Sequence, residues 1–211
     1  MFSKFFKKKT APVKQLEHPK ELKKGDMMQM IDSFALPTEL KGQTLHVIDI
    51  NTYQYEYENE TEFVVKGDSG TSLFVTIEND DGEEYVNFNL KIRRKDVEKL
   101  FDMDQFADIF DSEELTEIAR INDVEKFSRW TTDKYIQDGH PSTAYYYNKD
   151  YRGKTVPKHV EEGGEPCECI SLIDSSDSFA INIEVWDDGE TDVFLCLRRP
   201  LTDVEDLFPG S

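Results

Sequence analysis

The chain has 211 residues, of which 37% are hydrophobic and 12% aromatic, so it has enough apolar surface for a packed core and is not a disordered chain. Its formal charge of −19 excludes nucleic acid as a partner, because binding phosphates requires Lys and Arg to neutralise them. With no apolar run near the roughly 20 residues of a membrane span, and with three irregularly spaced cysteines that favour a reducing compartment, we expect a cytoplasmic protein.

The N-terminal segment, residues 1–20, is basic and is predicted to be a flexible, mobile tail. Eight lysines and two glutamates give residues 1–24 a formal charge of +6, which leaves −25 for the rest of the chain. If the segment is helical, phenylalanines cluster on one side with lysines beside them, which suits peripheral contact with an anionic membrane or with a partner. The alternative is a disordered chain end. The residues of this predicted contact are Phe2, Phe5, Phe6, Lys4, Lys7, Lys8 and Lys9.

Residues 21–102 are predicted to form a first β-rich module. Tyr53, Tyr55 and Tyr57 alternate with polar residues, and a period of two places all three on one face of a strand. Residues 72–92 alternate apolar and polar positions on both sides of an Asp-Asp-Gly turn, which is the strongest hairpin signal in the chain.

The pattern changes after residue 96, where apolar residues recur at helical spacing. We therefore predict two or three short helices, with residues 103–134 as a helical connector. Residues 135–211 return to strand patterns and are predicted to form a second β-rich module, with a second hairpin over residues 178–199.

The two modules resemble each other, which indicates an internal duplication. A shift of 106 residues places residues 63–78 on residues 169–184 without a gap. Beyond these residues, and with small gaps in the alignment, both modules continue with a second strand, an Arg-Arg pair and a short acidic helix in the same order. We therefore predict an α+β fold of two tandem, repeated antiparallel β-rich modules joined by short helices; the alternative is that a common hairpin pattern arose twice. The matching positions are Ile77-Glu78 with Ile183-Glu184, Asp80-Asp81-Gly82 with Asp187-Asp188-Gly189, Arg93-Arg94 with Arg198-Arg199, and residues 96–101 with 203–208.

Two acidic turns are candidates for a surface that docks a basic partner. Opposite charge on the partner would speed its association, whereas solvated hairpin tips explain the same residues without any partner. The two Arg-Arg pairs are predicted to bind carboxylates within the chain, with a pair of anion sites as the alternative. The residues of the predicted docking surface are Asp80, Asp81, Glu83, Glu84, Asp187, Asp188 and Glu190.

No pattern indicates a cofactor, a metal or a catalytic site, so we expect none. Cys167 and Cys169, with His159 nearby, supply too few ligands for tetrahedral zinc. The histidines have no nucleophile in a recognisable motif. A deep pocket that joins His140 or His159 to carboxylates would instead indicate an enzyme whose site is assembled from distant residues.

A bacterial family catalogued as domain of unknown function 4178 resembles this chain at two motifs. These are Leu22-x-x-Gly25-Asp26-Met27 and the strand Leu73-Phe74-Val75-x-Ile77-Glu78. The resemblance covers about residues 21–101, and a weaker resemblance extends over residues 135–208. Members of such families tend to be encoded near phage-shock-protein-A-like membrane-stress proteins. The resemblance therefore implies a role in a bacterial membrane-stress system and supplies no catalytic residues.

Together these patterns predict a non-enzymatic, acidic cytosolic binding or adaptor protein. Its partner would be a protein with a basic surface, with peripheral membrane contact through the tail. One alternative is an acidic inhibitor or immunity protein that mimics DNA and covers a basic partner. The second alternative is an enzyme with a dispersed site.

Overall fold

A computed structural model describes residues 15–111, 114–157 and 163–210. The predicted contact residues of the tail, Phe2 to Lys9, lie outside these ranges, as does His159. Strands account for 47% of the structure and helices for 13%. The fold is therefore predominantly β, and the expected α+β class is wrong.

Along the chain, two short helices lie between an earlier group of strands and a later one. The first strands are β1 (Met27–Met30), β2 (Thr44–Gln54), β3 (Asn59–Lys66), β4 (Ser72–Asp80) and β5 (Glu83–Ile92). The helices are α1 (Arg94–Leu100) and α2 (Met103–Asp111). The later strands are β6 (Glu117–Ala119), β7 (Lys134–Gln137), β8 (Ser142–Tyr147), β9 (Glu165–Ile173), β10 (Phe179–Trp186), β11 (Thr191–Pro200) and β12 (Val204–Phe208). Among the described residues, no helix combines the length and the apolar character that crossing a membrane requires.

Eight of these strands close into one antiparallel barrel. Their order is β2-β3-β4-β5-β11-β10-β9-β8, and β8 pairs back onto β2. Two pairs of short strands lie beside the barrel: β1 and β12 extend from the start of β2, and β7 and β6 extend from the end of β9. Closure removes the free edges that an open sheet of these strands would expose.

The predicted arrangement of two tandem modules joined by helices is wrong, because the two halves share this single barrel. β5 and β11 pair from Ile92 with Val193 to Tyr85 with Pro200, and β2 pairs with β8. Each half does contain a four-stranded antiparallel meander, β2 to β5 and β8 to β11. A separate four-stranded sheet would leave two edges of unpaired N–H and C=O groups, and pairing the meanders edge to edge satisfies both.

The repeated segments also differ in detail. Residues 96–101 lie in and just after α1, whereas residues 203–208 form the end of a 3-10 turn and then β12, which pairs with β1. The first acidic turn has two residues, Asp81 and Gly82, both with positive φ, and the second spans residues 187–190 with positive φ at Gly189. The equivalence drawn from the sequence therefore does not extend to the local backbone.

Apolar side chains occupy one face of the barrel strands and form the larger of two buried clusters. Phe63, Val75, Phe88 and Leu195 are all buried there. The helices do not join modules but pack on this face through their own apolar residues, which belong to the same cluster. α2 begins after Asp102, whose carboxylate accepts hydrogen bonds from the first free N–H groups of the helix.

The Arg-Arg pairs bind carboxylates within the chain, as predicted. Arg93 and Arg199 pair with the buried Asp96 and Asp203 that follow them. Arg198 reaches Asp80 across β5, with 2.8 Å between Nη2 and Oδ2. These arginines therefore serve the fold, and the alternative of paired anion sites has no support from these contacts.

Candidate functional site

A cavity of about 250 Å³ lies inside the barrel, and every barrel strand contributes to its wall. The period of two that buries apolar residues on one strand face places polar residues on the other. That second face supplies most of the lumen wall, and Ile170 and Ile183 of the apolar face complete it. The lining residues are Tyr53, Tyr55, Glu60, Glu62, Thr76, Asn87, Asn89, Asp138, His140, Ser142, Cys169, Ile170, Ser171, Asn182, Ile183, Glu184 and Phe194.

Glu62 on β3 is the most deeply buried carboxyl of the lumen, at 6% exposure. Its Oε1 accepts a hydrogen bond of 2.8 Å from Asn51 Nδ2 on β2. Burial raises the pKa of Glu62 to about 8, because the charged form loses its hydration, and the Asn51 hydrogen bond offsets only part of this effect. Near neutral pH this carboxyl therefore holds its proton and acts as a hydrogen-bond donor as well as an acceptor.

Glu184 on β10 faces Glu62 across the lumen. Its Oε1 accepts a hydrogen bond of 2.7 Å from the hydroxyl of Tyr53, which lies three strands away around the wall. Burial is the main cause that raises the pKa of Glu184 to about 7, and nearby Asp192 adds to it. Tyr53 is buried beside two carboxyls, which raises its own pKa, so its hydroxyl stays a donor.

Glu60, also on β3, completes a group of three lumen carboxyls. Burial raises its pKa, and a hydrogen bond with the Thr76 side chain acts in the opposite direction. No ion pair joins Glu60, Glu62 or Glu184 to a Lys, Arg or His within the described residues; the bonds of the last two are to Asn51 and Tyr53. The charge of Lys91 favours the ionised forms of Glu62 and Glu184, but the ion pair of Lys91 is with Asp192.

Amides connect the middle of the lumen wall. Asn182 donates to Asn89 on β5 over 2.8 Å and accepts from Ser171 on β9 over 2.9 Å. Asn89 in turn donates to the Phe74 carbonyl. These bonds hold the amide side chains in fixed orientations, so the wall is shaped before any ligand enters.

Aromatic rings and two thiols form a second cluster, which adjoins the lumen through Tyr53, Tyr55 and Cys169. Tyr146 contacts both Tyr53 and Trp186, with ring centroids 5.2 Å and 5.7 Å apart. Cys167 and Cys169 follow on β9, with 3.8 Å between their sulfurs. Within the described residues no group of three His, Cys, Asp or Glu side chains is placed to hold a metal ion.

The lumen reaches the surface at the loop between β7 and β8. Asp138, His140 and Ser142 all line the cavity and are all exposed. This places His140 at the mouth of a pocket that contains carboxyls, which is the arrangement that would indicate a dispersed enzyme site. His140 is exposed, however, whereas the group formed by Glu62, Glu184 and Tyr53 is buried.

The two acidic turns lie at opposite ends of the paired strands β5 and β11. Because these strands are antiparallel, the first turn lies beside the end of β11 and the second beside the end of β5. Asp80 is paired with Arg198, and Glu84 with Lys20 and His18, whereas Asp81 and Glu83 are exposed. Asp187, Asp188 and Glu190 are exposed at the other end. The barrel therefore does not bring the predicted docking residues together into one surface.

The lumen carboxyls were missed by the sequence analysis, although a signal for them exists. Glu60 and Glu62 alternate with Thr61 and the buried Phe63 near the start of β3, and Glu184 follows Ile183 in the repeated Ile-Glu step. Its counterpart Glu78 lies at the rim and pairs with Arg198 instead. Tyr55 lines the lumen with Tyr53, but Tyr57 is exposed in the β2–β3 turn, so the prediction of one shared tyrosine face is wrong.

Comparisons with family models, with curated proteins and with solved structures found nothing that matches this chain. The resemblance to domain of unknown function 4178 stays a prediction. Functional inference therefore depends on the residues of the lumen.

Proposed function

We propose that this protein is a non-enzymatic binding protein that takes up a small polar molecule in the barrel lumen. The main support for this proposal is the lumen, a polar cavity that opens at an exposed loop. Its volume of about 250 Å³ is just below the roughly 300–1,000 Å³ of sites for drug-sized ligands. A ligand with few non-hydrogen atoms therefore suits it best.

The pre-ordered wall supports binding. Hydrogen bonds fix Asn89, Asn182 and Ser171 before a ligand arrives, which lowers the conformational entropy that binding would cost. Most of the apolar residues face away from the lumen and belong to the core. A polar lining of this kind would discriminate between ligands through hydrogen bonds rather than through apolar area.

Narrowing the mouth tests this proposal. Ser142→Trp places a large side chain at the cavity opening. Thr143→Trp is the matched control, because Thr143 is also exposed but is on the other face of β8. After incubation with an extract of small metabolites, native mass spectrometry should find bound molecules on the wild type and on the control but not on Ser142→Trp. Equal retention by all three proteins would place any binding outside the lumen.

An enzyme is the second candidate, supported by Glu62 and Glu184, since carboxyls with a pKa of about 8 and about 7 suit general acid–base work near neutral pH. For an enzyme, Glu184→Gln should abolish conversion of a molecule in the extract while that molecule still binds. For a binding protein, the recovered molecules should be unchanged in mass with both wild type and variant. Mass spectrometry before and after incubation separates the two.

A protein partner for the second acidic turn is a further part of the proposal. Asp187, Asp188 and Glu190 are exposed and form no ion pair with another described residue, so a basic surface could bind them. The roles of membrane-stress adaptor and of DNA-mimicking inhibitor stay predictions about such a partner.

A further inference from the structure

We propose that the lumen ligand is a small organic cation, such as an aliphatic amine or a methylated ammonium, held by Glu62, Glu184 and the aromatic wall. This inference rests on the proposed function and adds the chemical class of the ligand. Binding would exchange protons on the lumen carboxyls for the positive charge of the ligand.

The charge of the lumen is the first reason. Lys91 is the one lysine or arginine among the groups that face Glu62 and Glu184 in the described barrel, and its Nζ is bonded to Asp192. Arg198, at the rim, is bonded to Asp80. A positive ligand would therefore meet carboxyls whose neighbouring cations are already paired with other carboxylates. The titratable groups facing Glu62 and Glu184 are Tyr53 from β2, Glu60 from β3, Lys91 from β5, Asp192 from β11, Cys167 and Cys169 from β9, and Tyr146 from β8.

The aromatic wall is the second reason. Tyr53, Tyr55 and Phe194 all line the cavity. An ammonium group near an aromatic face is attracted by the negative potential of the ring, and this attraction grows where water is excluded. Carboxyls and aromatic rings in one cavity favour a cation over an anion or a neutral molecule.

An unpartnered acceptor beside Glu62 is the third reason. Asn51 is 3% exposed, and its Nδ2 is bonded to Glu62, but its Oδ1 has no hydrogen-bond partner among the described residues. A buried carbonyl without a partner costs free energy that a donor would recover. A primary ammonium group, unlike tetramethylammonium, carries an N–H that can supply such a donor beside Glu62.

Proton exchange follows from the state of the empty lumen. Burial raises the pKa of Glu62 to about 8 and of Glu184 to about 7, so at pH 7 the lumen holds protons that an exposed carboxyl would have lost. A bound cation favours the ionised carboxylates, and protons leave as it enters. An uncharged ligand would release none.

Isothermal titration calorimetry of the full chain with 1,4-diaminobutane and with tetramethylammonium tests the inference. Titrations at pH 7 in phosphate and in MOPS, which differ in ionisation enthalpy, report the number of protons released. We expect at least one probe to bind with proton release. Glu62→Gln and Glu184→Gln should each weaken this binding at least tenfold and reduce the release, whereas Glu168→Gln, an exposed acid on β9, should leave both unchanged.

The inference is overturned if neither probe binds, if butanoate binds instead, or if both glutamine variants bind as the wild type does. Displacement of the amine by equal concentrations of magnesium chloride would also overturn it, because simple attraction to negative charge would then explain the binding. If Ser142→Trp removes metabolites that the wild type retains while no amine binds, the ligand class is wrong and the lumen function stands. If the wild type retains no molecule, the function itself fails.

Discussion

Glu62→Gln is expected to stabilise the folded protein by about 3 kcal/mol at pH 7 and by more at pH 9. Burial raises the pKa of Glu62 from an ordinary 4.5 to about 8, and each unit of such a shift corresponds to about 1.4 kcal/mol between protonation states. Glutamine has the shape of the protonated acid and keeps the oxygen that accepts from Asn51. It never carries the charge that the lumen disfavours.

The sign of this effect depends on which state binds the proton more tightly. Between pH 4.5 and about 8 the folded state keeps the Glu62 proton and the unfolded state has lost it. The contribution of Glu62 to stability is therefore complete below pH 4.5, falls as pH rises, and is lost above pH 8. Glu184, with a pKa raised to about 7, acts in the same direction over a narrower window.

Urea denaturation of wild type and variant at intervals between pH 5 and pH 9 measures the difference. The stability gap between Glu62→Gln and wild type should widen as pH rises and level off above pH 8. Glu168→Gln removes one negative charge from an exposed position on β9 and accounts for the general repulsion within an acidic chain. Parallel curves for wild type and Glu62→Gln would show that Glu62 does not titrate in a buried site.

Phe88→Ala is expected to lower the free energy of unfolding by about 3–5 kcal/mol and to do so for the whole barrel. Phe88 lies on β5, is fully buried, and is paired with Leu197 on β11. Removing its ring leaves a cavity at the junction of the two meanders. Both halves should therefore unfold together at a lower urea concentration.

Trp186 provides a probe of the opposite half, because it lies on β10 and contacts Tyr146. In a Trp130→Phe background, its fluorescence transition should shift as far as the transition followed by circular dichroism. Lys66→Ala, an exposed change on β3, should move neither by more than about 0.5 kcal/mol. A Trp186 transition that keeps its wild-type midpoint in Phe88→Ala would indicate two independent modules.

The local patterns in the sequence were informative about single elements. The alternation around Asp81-Gly82 predicted the β4–β5 hairpin. The helical spacing after residue 96 predicted α1 and α2, although the helical connector expected over residues 103–134 also contains the strand β6. The Arg-Arg pairs were correctly assigned to partners within the chain. Each of these features depends on neighbours a few residues apart or on one hairpin.

The barrel and its lumen depend on long-range contacts, which no local sequence pattern predicts. Glu184 and Tyr53 are 131 positions apart and meet because β8 closes the barrel between them. The polar positions Asn87 and Asn89 alternate with buried apolar residues, and that period of two marks a polar face without showing which way the sheet curves. Had the sheet stayed open, the same residues would face solvent.

The sequence by itself determines the composition, the acidic charge, the strand periodicity and the hairpin turns of this protein, because these features follow from residue type and short-range spacing. Only the tertiary structure decided that two meanders form one barrel and that Glu60, Glu62 and Glu184 share its interior. The physical reason is that a free strand edge must find a partner, and which edges meet is settled by long-range pairing. Burial then changes the chemistry of those carboxyls, since the free energy of a charge depends on the water around it rather than on its place in the chain.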